Sequence, residues 1–279
     1  MKRGKTIQVF LTDGTPRGIK VADITSNIEQ ALFIPRSQLQ EAYNRKEASR
    51  PALYFLFGEL DGSLKPAVYI GQSTKGLDRI KGHNRDEQKD FWNYSVLVTS
   101  KTNSYTQTHI TYLEEMAISV ARESNRYYVT NKDQPKKVAV PETLEADLLD
   151  SFDTIKVLLS TLGFTLFDSI KQTKKTAKLY YCKGNGVTAT GEYLEDGFVV
   201  HKGSQAKLDL VKSASFVSRR EKLLNSGILK EKNGVLEFDE DYLFSSPSSA
   251  GSQVLGRNTN GWDKWKTKDG KTLDEVERK

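Results

Sequence analysis

An α+β protein of two domains is the reading the sequence supports, on three observations. Short runs of β-forming residues, such as Leu53–Leu56 and Val68–Gly71, alternate with longer stretches whose apolar residues recur at helical spacing. At 279 residues the chain can bury two modest cores. A polar, basic stretch from Lys171 to Lys178 then separates this pattern from a second set of strand-like and helical segments.

Composition narrows the class. Hydrophobic residues at 37% and charged residues at 28% describe a globular protein, and no apolar run reaches the length of about 18 residues that spans a membrane. The basic start Met1–Lys5 is followed by an apolar patch too short for a signal peptide, so the expected compartment is the cytoplasm. A single cysteine, Cys182, excludes an intramolecular disulfide and any zinc site built on several thiolates. The formal net charge is +6, with +4 on residues 1–50 and −2 on residues 141–175. A positive balance favours polyanionic partners, because each neutralised phosphate releases counterions.

The elements follow in order. Residues 1–50 read as an N-terminal β-rich extension: an alternating strand Ile7–Leu11, a turn at Asp13-Gly14, and a short helix from Ser37 to Asn44 capped by Ser37. Residues 51–60 and 66–71 form two strands joined through Asp61-Gly62-Ser63, a turn signal. A helix from Ser73 to His83, a third strand from Tyr94 to Thr99, and a helix from Thr106 to Glu123 come next. Residues 141–175 are a helical connector. Within it Leu144, Leu148, Phe152, Ile155, Leu159 and Leu162 form one apolar stripe closed by Gly163, opposite an acidic face; a strut between domains is expected. Residues 176–279 make a C-terminal domain, with strands at Leu179–Tyr181 and Gly197–Val200. A helical stretch through Leu208, Val211, Phe216, Leu223 and Leu224 follows them.

Several side chains in residues 51–140 carry chemistry. Arg79 and His83 stand at i and i+4 and share one helical face, where an arginine can clamp a phosphate oxygen. Glu114, after Tyr112-Leu113, is a carboxylate able to hold a hard cation that keeps several waters. Glu115 points about 100° away, so one of the two faces any site. Tyr54 and Tyr69 lie in the paired strands, where tyrosines are commonly packing residues. Lys75 and Lys81 flank Arg79 as candidate nucleic-acid contacts.

The segment from about Pro51 to Asn131 resembles the GIY-YIG nuclease family, on Ala52-Leu53-Tyr54, Tyr69-Ile70-Gly71, Arg79, His83 and Tyr112-Leu113-Glu114 in that order. The resemblance implies a small mixed sheet flanked by helices in a nuclease domain at 51–140, and hydrolysis of DNA phosphodiester bonds with one Mg²⁺ or Mn²⁺ at Glu114. It implies catalytic roles for Tyr54, Tyr69, Arg79, His83, Glu114 and a bracing asparagine. Asn131 is the choice for that asparagine, with Asn125 as rival. One tyrosine is the general base and the other positions water or phosphate; which does which is left open. The first motif departs from Gly-Ile-Tyr, and Ala52 would restrict the backbone if φ were positive there.

The tail from Phe244 to Leu273 resembles a short domain of unknown function that often follows GIY-YIG domains, on the Ser246–Ala250 run, Asn260-Gly261-Trp262, Trp265 and Gly270–Leu273. Trp262, Lys264 and Trp265 form an aromatic and basic cluster with Lys266 and Lys268, and Arg219 and Arg220 offer further phosphate contacts. The alternative for the tryptophans is packing inside a small module. The leading expectation is a DNA endonuclease in a defence, mobile-element or repair setting, with a homodimer or sequential nicking if both strands are cut. A catalytically inactive nucleic-acid-binding protein on the same scaffold is the alternative, and a protein adaptor is the third.

Overall fold

The computed structural model describes residues 4–86, 89–133, 137–168, 178–184, 186–211 and 214–278. The chain divides into two compact units, Met1–Asp61 with Lys65–Ser169, and Gly62–Leu64 with Ile170–Lys279. Apart from Lys178, the basic stretch expected to part the domains lies outside the described residues. Among the described residues no helix is long and apolar enough to cross a membrane.

The first unit is built on one mixed sheet. Its strands are β1 (Ile7–Leu11), β2 (Lys20–Ile24), β3 (Glu29–Pro35), β4 (Ala52–Glu59), β5 (Pro66–Ser73), β6 (Trp92–Ser100) and β7 (Tyr128–Val129). Their order is β1-β2-β3-β6-β4-β5-β7, antiparallel except where β7 runs parallel to β5. The N-terminal strands therefore extend the sheet that carries the two tyrosine motifs, through the pairing of β3 with β6.

Period-two alternation sorts the side chains to two covered faces. Leu53, Phe55 and Phe57 of β4 face α3 (Gln107–Ser124) and α4 (Glu142–Thr161). Ala52, Tyr54 and Leu56 face the opposite core, which takes in Leu39 and Ala42 of α1 (Leu39–Ala42) and Ile80 of α2 (Asp78–Asn84). Burial on both sides is why 52–57 is an unbroken apolar run. The result is a central sheet flanked by helices, an α+β architecture.

Helix α4 packs on the sheet rather than standing as a strut. Leu148, Phe152, Ile155, Leu158 and Leu159 enter the same core as β4 and α3, and each fully buried side chain contributes roughly 1.5–3 kcal/mol. Thr154 Oγ1 accepts from Asn27 Nδ2 at 2.6 Å and fixes the helix against the β2–β3 turn. Two helix starts also differ from expectation. Ser37 lies inside a 3-10 turn, Arg36–Gln38, rather than capping a helix. Helix α2 begins at Asp78 because β5 runs on to Ser73, and the following turn is bound by Leu77 N–H donating to Ala48 O at 2.8 Å. Gly76 (φ +48) makes that turn, and a Cβ there would sit 1.8 Å from Ala48 O.

The second unit holds two antiparallel sheets. One is ordered β14-β10-β9-β8, from β8 (Leu179–Gly184), β9 (Val187–Leu194), β10 (Gly197–Val200) and β14 (Tyr242–Phe244). The other is ordered β11-β13-β12, from β11 (Gln205–Ala206), β12 (Leu229–Lys232) and β13 (Val235–Phe238). The β12–β13 hairpin turns at Asn233-Gly234, both with left-handed φ (52° and 78°), as a two-residue type I′ turn requires. Helices α5 (Ala214–Asn225), α6 (Pro247–Leu255), α7 (Gly261–Lys264) and α8 (Leu273–Glu277) complete the unit. Leu208 and Val211 precede α5 and are exposed, so they form no part of a helical stripe. Cys182 is fully buried in the core, and burial pushes its thiol up to about 12, so it is inert filler.

Candidate active site

The two tyrosines meet because their strands pair. Tyr54 stands opposite Gly71, and Leu56 opposite Tyr69, so both phenols project from one face of the sheet, with ring centroids 6.3 Å apart. Tyr54 lies across Gly71: a Cβ there would come 2.4 Å from both its Cζ and its Oη. The glycine of Tyr69-Ile70-Gly71 is thus a matter of space. Ala52 is an ordinary buried strand residue, and the described non-glycine residues with positive φ are Asn103, Asn125 and Asn233. Alanine at this position therefore carries no backbone strain.

His83 is buried between the tyrosines. Its Nε2 lies 2.8 Å from Tyr54 Oη, and its Nδ1 lies 2.9 Å from Lys89 Nζ. An ammonium only donates, so Nδ1 accepts and Nε2 carries the hydrogen given to Tyr54. Tyr54, having accepted, donates onward to Tyr69. Lys89 also lies over the Tyr69 ring, 3.8 Å from its centroid. Burial first, then the charges of Lys89 and Arg79, hold His83 down at about 4, so the ring is neutral at pH 7. Burial also drives the Tyr54 phenol far above its ordinary value, and raises the half-buried Tyr69. Lys89 escaped the sequence reading because it follows the end of α2, where no helical spacing links it to His83.

Glu114 comes from the opposite side of the sheet at its edge. Strand β7 covers β5 only at Ala67 and Val68, and side chains take over beyond it. Asn131 Oδ1 accepts from Ile70 N–H at 3.0 Å while its Nδ2 donates to Ile70 O at 2.7 Å. The next amide along the same edge, Gln72 N–H, donates to Glu114. Burial is the main cause that lifts this carboxyl to about 7, with Gln72 and Arg79 pulling it back. Arg79 is exposed at the start of α2, hydrogen-bonds Tyr54, and acts on Glu114 and Tyr69 through its charge. The rival asparagine, Asn125, caps the C-terminus of α3 with φ 56° and accepts from Lys65 at 2.9 Å, so it belongs to the helix end.

Tyr54, Tyr69, Arg79, His83, Glu114 and Asn131 therefore surround the C-terminal part of β5. No group of three or more His, Cys, Asp or Glu able to hold a metal occurs among the described residues. What this donor set fits is a hydrated hard cation bound by the single Glu114 carboxylate, whose raised pKa reflects a buried charge with little compensation. A soft or borderline metal that needs several protein ligands does not fit.

The expected nucleic-acid contacts divide. Lys75 and Lys81 are exposed, with Lys81 Nζ 5.4 Å from the Tyr43 ring centroid. Arg219 Nη1 donates to Ser249 Oγ at 2.6 Å and is partly covered. Arg220 is not a surface contact: it is 2% exposed, donates to Gln253 Oε1, Gln253 O and Lys207 O, and burial pushes it down to about 10. Trp265 is likewise core, fully buried with its Nε1 donating to Pro247 O at 3.0 Å and its ring against Phe198. Trp262 is half-buried, packed on Tyr193 with the Arg278 guanidinium 3.5 Å above its ring, and Lys264 is exposed.

No curated protein and no solved structure matches the chain. Residues 180–277, from β8 to α8, match the model of DUF4357, a domain of unknown function.

Proposed function

We propose that the first unit is a divalent-metal-dependent DNA endonuclease of the GIY-YIG kind. The observation that carries this reading is the gathering of Tyr54, Tyr69, His83, Arg79 and Glu114 around one end of β5. A binding protein has no use for a half-buried carboxylate facing an arginine and a phenol. Mg²⁺ or Mn²⁺ held by Glu114 would supply positive charge to a phosphate oxygen and an acidified water.

The chain's own residues divide the remaining work. Arg79, exposed and without an ion pair among the described residues, is suited to clamp a non-bridging phosphate oxygen and hold the charge that develops on it. Tyr69 is the phenol suited to take the proton of the attacking water. It is only half-buried, and the donor chain from Lys89 through His83 and Tyr54 ends on its oxygen, which with the Arg79 charge offsets part of the upward push that burial and Glu114 give this phenol. Tyr54, deeply buried and held by His83, serves as the donor that orients Tyr69. Asn131 keeps β5 in register beneath them.

Cleavage of supercoiled, linear and single-stranded DNA with Mg²⁺ or Mn²⁺ tests the reading. Cutting is expected from the wild type, abolished by Glu114→Ala and reduced about 10²–10³-fold by Arg79→Ala. Absence of cutting on every substrate, or cutting that survives Glu114→Ala, overturns it.

A further inference from the structure

Lysines of the second unit converge around one antiparallel bridge between β8 and the segment after α7. Tyr181 of β8 exchanges both backbone hydrogen bonds with Lys266, at 2.7 and 3.0 Å. Paired residues of an antiparallel ladder project to the same side, as do residues two apart along each strand. Lys183 lies two residues along β8 from Tyr181, Lys264 ends α7 two residues before Lys266, and Lys268 stands in the turn after it; all line one cavity with the Tyr181–Lys266 pair. Tyr180 and Cys182 fill the core, so Tyr181 and Lys183 face away from it.

Tyr181, Lys183, Lys264, Lys266, Thr267 and Lys268 line an open cavity of about 550 Å³, and no carboxylate lines it among the described residues. None of the four ammonium groups has an ion pair or side-chain hydrogen bond among the described residues; Asp269, next in the chain to Lys268, pairs with none of them. Like charges facing one another across a ladder destabilise it, and this cluster has no internal compensation. Ammonium groups offer donors only, so the complementary ligand is an oxyanion carrying several charges. The partly exposed Tyr181 ring adds a flat apolar face beside them.

We infer that this cavity grips the phosphates of a nucleic-acid strand, with Tyr181 stacking on a base. That the phosphates belong to a strand rests on the nuclease reading; the affinity of the cavity for phosphate does not.

The test is fluorescence anisotropy of the intact chain with a labelled single-stranded oligonucleotide, in EDTA so that no cutting occurs, across a range of salt. Replacing Lys183, Lys264 and Lys266 together by Gln is expected to weaken binding at least about tenfold and to reduce the salt slope by about 2, since each lost single-strand phosphate contact removes about 0.7. These three side chains are exposed, and an unchanged near-UV circular dichroism spectrum checks the fold. The same charge change at exposed Lys202, Lys222 and Lys230 is expected to leave most of the affinity. Tyr181→Ala is expected to cost several-fold with the salt slope unchanged. Binding by the cavity variant that equals the wild type or the control variant overturns the inference, as does absence of binding by the wild type at low salt. Displacement by pyrophosphate as effective, per phosphate, as by unlabelled oligonucleotide makes the cavity a free-phosphate site and overturns the strand. Binding is read in EDTA and cutting in Mg²⁺, so cutting without cavity-dependent binding sinks this inference alone.

Discussion

Lys89 gives the buried network of the first unit its direction. Without its ammonium, His83 could present either tautomer to Tyr54, and the hydrogen reaching Tyr69 would no longer be dictated. Lys89→Met is therefore expected to lower kcat, shift the pH profile of cleavage upward, and raise the His83 pKa from about 4 by removing one of the charges that depress it. The chain has three histidines, so an NMR titration can resolve His83; an unmoved pKa and profile would leave Lys89 a mere ring contact. Glu114 has the opposite linkage to pH. Its folded pKa, about 7, lies above its ordinary 4.5, so the folded state holds the extra proton and loses stability as pH rises from about 4.5 through 7. Glu114→Gln is expected to melt higher than the wild type at pH 8, with the difference gone below pH 4.5. Cation binding needs the ionised carboxylate, so Mg²⁺ affinity should fall about tenfold per unit as pH drops below 7.

At the scale of elements, the β4–β5 pair is what holds the two phenols together, and Gly71 is its weak point. Gly71→Ala drives a methyl into the Tyr54 ring and is expected to cost about 1–3 kcal/mol in denaturant unfolding, together with much of the cleavage. If stability is unchanged, the ring moves aside more easily than its burial implies. The same pair explains what was legible in the sequence. Arg79 and His83 are legible from their i, i+4 spacing alone, whereas Tyr54, Tyr69 and Glu114 are singled out by the order of motifs that resembles the GIY-YIG family. The start of α2 is not legible, since it depends on the Ala48 carbonyl far back in the chain. Nor is the split of the tryptophans: helix α7 ends at Lys264, so Trp265 turns into the core while alternate lysines emerge on a ladder. The Asn233-Gly234 hairpin is legible from its dipeptide alone.

For the whole molecule, each unit has its own core, and their stabilities are expected to separate in calorimetry. Arg220→Ala removes three hydrogen bonds made inside the core, to Gln253 Oε1, Gln253 O and Lys207 O, a loss of about 1–3 kcal/mol. It should lower the transition of the second unit and leave that of the first in place. A single transition that shifts as one would mean the units fold cooperatively.

The β5 edge, finished by a side chain where a strand would otherwise continue, makes one backbone proton a gauge of site assembly. The Ile70 amide is shielded from deuterium only while the Asn131 carboxamide stays seated. Its exchange rate can therefore be followed with no substrate or metal present. In Asn131→Ala that single amide should exchange at the rate of a frayed edge while Leu56 and Val98, deeper in the same sheet, keep their protection.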